Sequence, residues 1–178
     1  MQVVITKNIY YKTVYNSPIG EILLLCDKEE NLVGSWIVGQ KYFANGFSVR
    51  NIAEDSKYFI KAKNWLDKYF KLEAPNVNEL SLKPIGSAFR QEVWKIISEI
   101  PYGQVITYSD IANLIAHKRG LKKMSAQAVG SAVGHNPISV IIPCHRVIGT
   151  NGKLGGYSAG ADIKRKLLEL EKCNIKLS

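Results

Sequence analysis

The chain has 178 residues, 46% of them hydrophobic, and a formal net charge of +9. That is enough material for one large domain or two small ones with a buried core. No apolar run approaches the roughly 18 residues of a membrane span, and three widely spaced cysteines without a C-x-x-C pair argue against a disulfide scaffold or a zinc cage.

The charge is uneven. Residues 1–85 carry 11 Lys/Arg against 9 Asp/Glu, whereas residues 86–178 carry 13 against 6. A basic second half either attracts a polyanion such as nucleic acid or simply keeps the surface solvated. The opening "MQVVITKNIYYKTVYNS" lacks the basic, apolar and small-residue succession of a secretion signal. A cytoplasmic location is therefore expected.

In chain order, "KTVYNS", "GEILLLCD" and "NLVGSWIVG" are short apolar segments separated by the turn compositions "SPIG" and "KEEN", which predicts a β-meander. A helix is predicted over 53–71, with Phe59, Ala62, Leu66, Tyr69 and Phe70 at helical spacing. "EAPNVNELSLKPIG" reads as a linker. Ser87 is then the expected N-cap of a helix whose Phe89, Val93, Ile96, Ile97 and Ile100 share a face. After "PYGQVITY", Ser109 is the expected cap of a second helix, "DIANLIAH". The basic connection "KRGLKK" leads to a third, "SAQAVGSAVGHN", with Ala126, Val129 and Val133 as its buried stripe.

The last two helices resemble a helix-turn-helix in the basic half. The second of them is nearly devoid of base-reading side chains, Gln127 excepted. Its small residues suit either close approach to DNA or close packing on a neighbouring helix.

The stretch "NPISVIIPCHRVIG" then leads through an apolar β-branched strand to Cys144, beside His145 and Arg146. A thiol attacks as thiolate and needs a base, and His145 is the adjacent candidate. Neighbouring side chains diverge, so a bridging water is as compatible with this spacing as direct contact. In the last helix, "ADIKRKLLELEKCNI", Glu171 projects into the arc of Ile163, Leu167, Leu168 and Leu170. It reads either as the partner of His145 or as a carboxylate reaching to water at a helix end. Lys164 projects there too, near the helix start, where it could swing outward.

"IPCHRVIG", with "PYGQVITY" upstream and "GYSAG" downstream, resembles the O6-alkylguanine-DNA alkyltransferase family over residues 86–178. "NSPIGEILLLCDKEENLVG" resembles the family's N-terminal domain more loosely. The resemblance implies an α/β N-terminal domain over 1–85, with a ribonuclease-H-like sheet, a helix and the linker. A mostly α-helical, winged-helix or helix-turn-helix-like domain would follow over 86–178.

The resemblance also implies single-turnover DNA repair by direct reversal. An alkyl group on O6 of guanine, or on O4 of thymine, would pass to Cys144 after the base is flipped from the duplex. His145 would be the base, acting through water. Glu171 would hold it, Asn136 would fix the segment before the cysteine, and Tyr108 would donate a proton toward the leaving base. Ser158 would offer a backbone N–H to O6, with Tyr157, Val147 and Gly155 shaping the pocket. Ser125, Ala126, Gln127 and Gly130 would face DNA on the recognition helix, with Arg119, Lys122 and Lys123 on the basic connection before it.

Many relatives carry an arginine at the position of Gln127, which fills the gap left by the flipped base. A weaker extrusion, or compensation by Arg119 or Lys122, is expected here. Some relatives bind zinc in the N-terminal domain, but residues 1–85 contain only Cys26 and no histidine, so no metal and no cofactor is expected. The expected partner is double-stranded DNA bearing O6-alkylguanine, with no membrane association and a monomeric state. The competing reading is a non-catalytic alkyltransferase-like protein that binds the lesion without removing it.

Overall fold

Three N-terminal strands alternate around tight turns because their apolar residues must reach one buried face while the turns expose theirs. In the computed structural model, which describes residues 10–44, 47, 52–54 and 59–173, these are β1 (Tyr10–Ser17), β2 (Gly20–Asp27) and β3 (Leu32–Ile37). β1 pairs antiparallel with β2 from Tyr10↔Asp27 to Ser17↔Gly20, and β2 pairs antiparallel with β3. Gly34 is required in β3, since a Cβ there would lie 1.9 Å from the Trp36 ring.

The predicted helix over 53–71 is corrected. Ile52–Glu54 form β4, which pairs parallel with Tyr10–Lys12, and helix α1 spans Ile60–Phe70. The apolar spacing begins only at Phe59, and β4 satisfies backbone groups on the open edge of β1. The sheet order is β3-β2-β1-β4, and α1 buries Ala62, Trp65, Leu66 and Tyr69. This is the α/β, ribonuclease-H-like layout expected.

The linker carries a 3₁₀ turn at Val77–Glu79, capped reciprocally by Asn76 and Glu79, and then runs beside β3. Leu32 N–H donates to Ser81 O at 2.8 Å, and Lys83 N–H donates to Leu32 O at 2.9 Å.

The helical part begins with α2 (Ala88–Ser98), whose cap is Ser87 as expected, accepting from Arg90 N–H. β5 (Ile106–Thr107), α3 (Tyr108–Lys118) and α4 (Ala126–Gly134) follow. The cap of α3 is Thr107 rather than Ser109. Its hydroxyl accepts from Asp110 N–H at 3.1 Å, while the Asp110 carboxylate accepts from Thr107 N–H at 3.1 Å. Two donors are satisfied at once, an arrangement Ser109 cannot match from inside the first turn. On α4 the fully buried residues are Val129, Ala132 and Val133, while Ala126 is only half-buried. β6 (Val147–Ile148) pairs parallel with β5, and α5 (Ala161–Leu170) closes the described fold.

The two parts share one core, in which Ile22, Leu24, Phe59, Leu66 and Tyr69 cluster with Trp94, Ile111, Val129, Ile141 and Leu167. They are also stitched by hydrogen bonds. Ser35 N–H donates to Pro137 O at 2.9 Å, Ser139 N–H donates to Ser35 O at 2.7 Å, and the Ser35 hydroxyl donates to Ser139 O at 3.0 Å. Edge strand β3 thereby holds the segment that leads to Cys144.

Candidate active site

That segment is not the strand its β-branched residues predict. Only Ile138 makes a bridge, to Ser35, and residues 139–142 turn back with Val140 at φ 72°. Every side chain from Ile138 to His145 is buried. A buried turn must pair its backbone internally, and Asn136 supplies the missing partners. Its amide donates to Ile142 O at 2.8 Å and to Ile138 O at 3.3 Å, and its carbonyl accepts from Ile138 N–H at 3.0 Å. Cys144 N–H closes the turn on Ile142 O at 2.8 Å. Pro143 ends it, and Cys144–Arg146 form a 3₁₀ turn that sends consecutive side chains apart.

Cys144 is 2% exposed. Burial raises its thiol pKa, while Asn136, the Lys164 ammonium and the Tyr157 hydroxyl pull it down without overcoming the burial. The resting group is thus a thiol, and its attack needs a proton acceptor.

His145 has no exposed surface, and its Nε2 lies 2.6 Å from Glu171 Oε1. A carboxylate only accepts, so Nε2 carries the hydrogen and Nδ1 carries the basic lone pair. Among the described residues Nδ1 has no protein partner. Burial lowers the pKa of His145 and outweighs the raising effect of Glu171, which keeps the ring neutral and able to accept a proton.

Glu171, the C-terminal cap of α5, is 3% exposed and does not reach to water. Arg146 forks it, Nε to Oε2 at 2.8 Å and Nη2 to Oε1 at 3.0 Å, and Gly103 N–H reaches Oε2 at 3.2 Å. Burial opposes ionisation, but the hydrogen bonds and charges of His145 and Arg146 prevail and hold the carboxyl well below its usual range. Arg146 is itself pinned by Ile100 O at 2.6 Å. Sequence spacing missed Arg146 as a partner, although it adjoins the histidine.

Lys164 does not swing out. It is 0% exposed, and its Nζ donates to Val147 O at 2.6 Å and Leu154 O at 2.5 Å. Burial brings its pKa down to about 8. It ties β6 to the loop before Gly155, a role the helical projection could not supply.

Beside this buried centre opens a cleft of about 660 Å³, walled by Tyr108, Ala126, Gln127 and Gly130 on one side and by Gly156, Tyr157 and Ser158 on the other. Tyr108 donates to Gly156 O at 3.3 Å, and burial followed by the Cys144 charge pushes its pKa up to about 12. Gly155, at φ 69°, passes so close to Tyr108 that a Cβ would lie 3.1 Å from the ring. Val147 is fully buried and does not line the cleft. Lys41 and Tyr42, from the N-terminal part, also line the opening, with Lys41 N–H on Ser158 O at 2.9 Å.

Ser125 caps α4 through Ala128 N–H at 3.2 Å. Lys122 and Lys123 are exposed outside the cleft. Arg119 is held elsewhere, its Nη2 on Glu92 at 2.6 Å and its guanidinium over Phe89. Thus Gln127 meets the cleft without the arginine expected to compensate for it.

Residues 10–84 match the family described as 6-O-methylguanine DNA methyltransferase, ribonuclease-like domain, and residues 88–173 match its DNA binding domain. A methylated-DNA–protein-cysteine methyltransferase of Methanosarcina acetivorans is 40% identical over 90% of this chain and 97% of its own. The Haemophilus influenzae protein of the same name is 37% identical over 91% and 86%. The crystal structure of Mycobacterium tuberculosis O6-methylguanine methyltransferase is similar at a TM-score of 0.78, with 38% identity, covering 92% of this chain and 93% of that one. A second structure from that organism, OGT in complex with DNA, has a TM-score of 0.76 at 38% identity and covers 92% of each chain.

Proposed function

Because the chain belongs to the 6-O-methylguanine DNA methyltransferase family, it is a methylated-DNA–protein-cysteine S-methyltransferase, and we propose that Cys144 accepts the alkyl group. The partner is DNA, and the reaction repairs it by direct reversal. The observation that carries the assignment is the buried pair of His145 and Glu171 behind a cysteine that is itself a thiol.

The chemistry follows from that arrangement. The base is flipped into the cleft, because O6 of a stacked guanine is out of reach of a buried thiol. The Cys144 proton passes through a water to Nδ1 of His145. The thiolate attacks the alkyl carbon in line, a C–S bond forms, and the C–O6 bond breaks with its electron pair leaving on the guanine. Tyr108 donates toward the ring nitrogen so that the base departs neutral, and the proton on His145 restores the balance. The backbone N–H of Ser158 holds O6. A thioether has no leaving group to release the cysteine, so each molecule acts once. O4-alkylthymine offers the same exocyclic ether beside a ring nitrogen and is a second substrate.

The division into 1–85 and 86–178 is supported by the two family matches, 10–84 and 88–173. A reducing cytoplasm suits three cysteines that are all free; among the described residues no helix is long and apolar enough to cross a membrane. The lesion-binding alternative requires the acceptor to be absent, and Cys144 is present. With Cys144→Ala the duplex lesion should still bind but keep its methyl group; repair by that variant would defeat the assignment.

A further inference from the structure

We propose that Tyr69, supplied by α1 of the N-terminal domain, is a positioning residue for the transfer reaction: its hydroxyl grips the same Glu171 oxygen that holds His145. The inference rests on the Cys144–His145–Glu171 reading above and extends it across the domain boundary.

The geometry is specific. Tyr69 has no exposed surface, and its hydroxyl donates to Glu171 Oε1 at 2.7 Å, across 102 positions of sequence. The same hydroxyl lies 3.4 Å from His145 Nε2. Since Nε2 already gives its hydrogen to Oε1, the hydroxyl acts on the carboxylate.

The ring cannot move aside. Trp65 stacks on it at 5.6 Å and 8°, Phe70 and Tyr102 meet it edge-on at 5.1 and 5.9 Å, and the His145 ring meets it at 71°. Trp65 is fixed in turn by its indole N–H on Asn76 O at 2.9 Å. Burial, then the Glu171 charge, keeps the phenol protonated far above neutral pH, so it is a permanent donor. A tyrosine that merely fills the core needs some acceptor; this one uses the carboxylate that fixes the tautomer of the base.

The consequence is a bias on His145. A donor to Oε1 disperses the carboxylate charge and weakens its hold on a second, imidazolium proton. The other groups around the pair are Arg146, Tyr102, Tyr157, Lys164, Cys144 and Cys173, and removing the Tyr69 hydroxyl alters none of them covalently. His145 should then protonate at higher pH, and a protonated ring cannot take the Cys144 proton.

The test uses the full chain. Single-turnover transfer from an O6-methylguanine duplex is followed from pH 5.5 to 8.5 for wild type and Tyr69→Phe, with lesion affinity and melting temperature measured alongside. The acid limb of the Tyr69→Phe profile should move up by ~0.5 pH unit, costing about three-fold in rate on the limb beyond any change on the plateau. Lesion affinity should stay as in wild type. 3-Fluorotyrosine in place of Tyr69 is a stronger donor of similar size and should move the limb the opposite way. Limbs that superimpose for all three proteins would overturn the proposal and leave Tyr69 a core residue. A wild-type protein that leaves Cys144 unalkylated would instead overturn the reading beneath it.

Discussion

At the residue scale, the buried polar groups of the site are mostly paired, and among the described residues His145 Nδ1 and the Tyr157 hydroxyl are the buried side-chain polar atoms left without a hydrogen-bond partner in the protein. Lys164 shows what such pairing is worth. Its ammonium satisfies the Val147 and Leu154 carbonyls and lowers the thiol pKa of Cys144. Lys164→Met keeps the apolar stem but strands both carbonyls in the core, which should cost about 2 kcal/mol of stability and slow transfer. Denaturant unfolding and single-turnover rates check the two effects; unchanged values for both would show that the amine is dispensable. Cys144, His145 and Glu171 were legible in the sequence because adjacency and a helical arc point at them. Arg146 and Tyr69 were not. Tyr69 sits at ordinary core spacing on α1, and nothing local reveals that its acceptor lies 102 residues away.

At the scale of elements, β-branched composition misled where tertiary pairing decided. Residues 138–142 read as a strand but turn, because Asn136 and Ser35 take up their backbone groups. Ala53 and Glu54 read as the start of a helix but pair with β1, since the sheet edge needed a partner that periodicity does not register. Helix α4 carries small side chains that suit close approach, to DNA or to a neighbouring helix. Gly130 and Ala126 line the cleft, and Gln127 stands exposed at its edge. Arg119, one of the two residues expected to compensate, is committed to Glu92. Gln127→Arg should therefore speed repair of duplex DNA about five-fold, equivalent to ~1 kcal/mol in the barrier. Repair of a single-stranded lesion, where no helix gap must be filled, should change less. Equal rates for variant and wild type on duplex would refute the gap-filling account.

For the whole molecule, the N-terminal and helical parts fold around one core and meet at the Glu171 carboxylate, so stability and the proposed chemistry share the same titrating groups. His145 is held below its ordinary value of 6.5 and Glu171 below 4.5. Groups with depressed folded pKa values contribute stability above their unfolded pKa and lose it as pH falls through the folded one. Above neutral pH the raised thiol of Cys144 and the lowered ammonium of Lys164 act in opposite directions, so a single direction holds on the acid side. Thermal midpoints should therefore sag as pH falls below about 6.5 and drop steeply below about 4.5. A midpoint that holds constant from pH 7 to 4 would contradict the buried neutral histidine and the paired carboxylate together. In the proposed reaction one buried thiol accepts one alkyl group and does so once. Intact mass and peptide mapping after mixing with excess duplex carrying a single O6-methylguanine test it most directly. One added methyl group per molecule is expected, located on Cys144, with one guanine restored for each. Added mass on another residue, or more lesions repaired than protein molecules present, would contradict it.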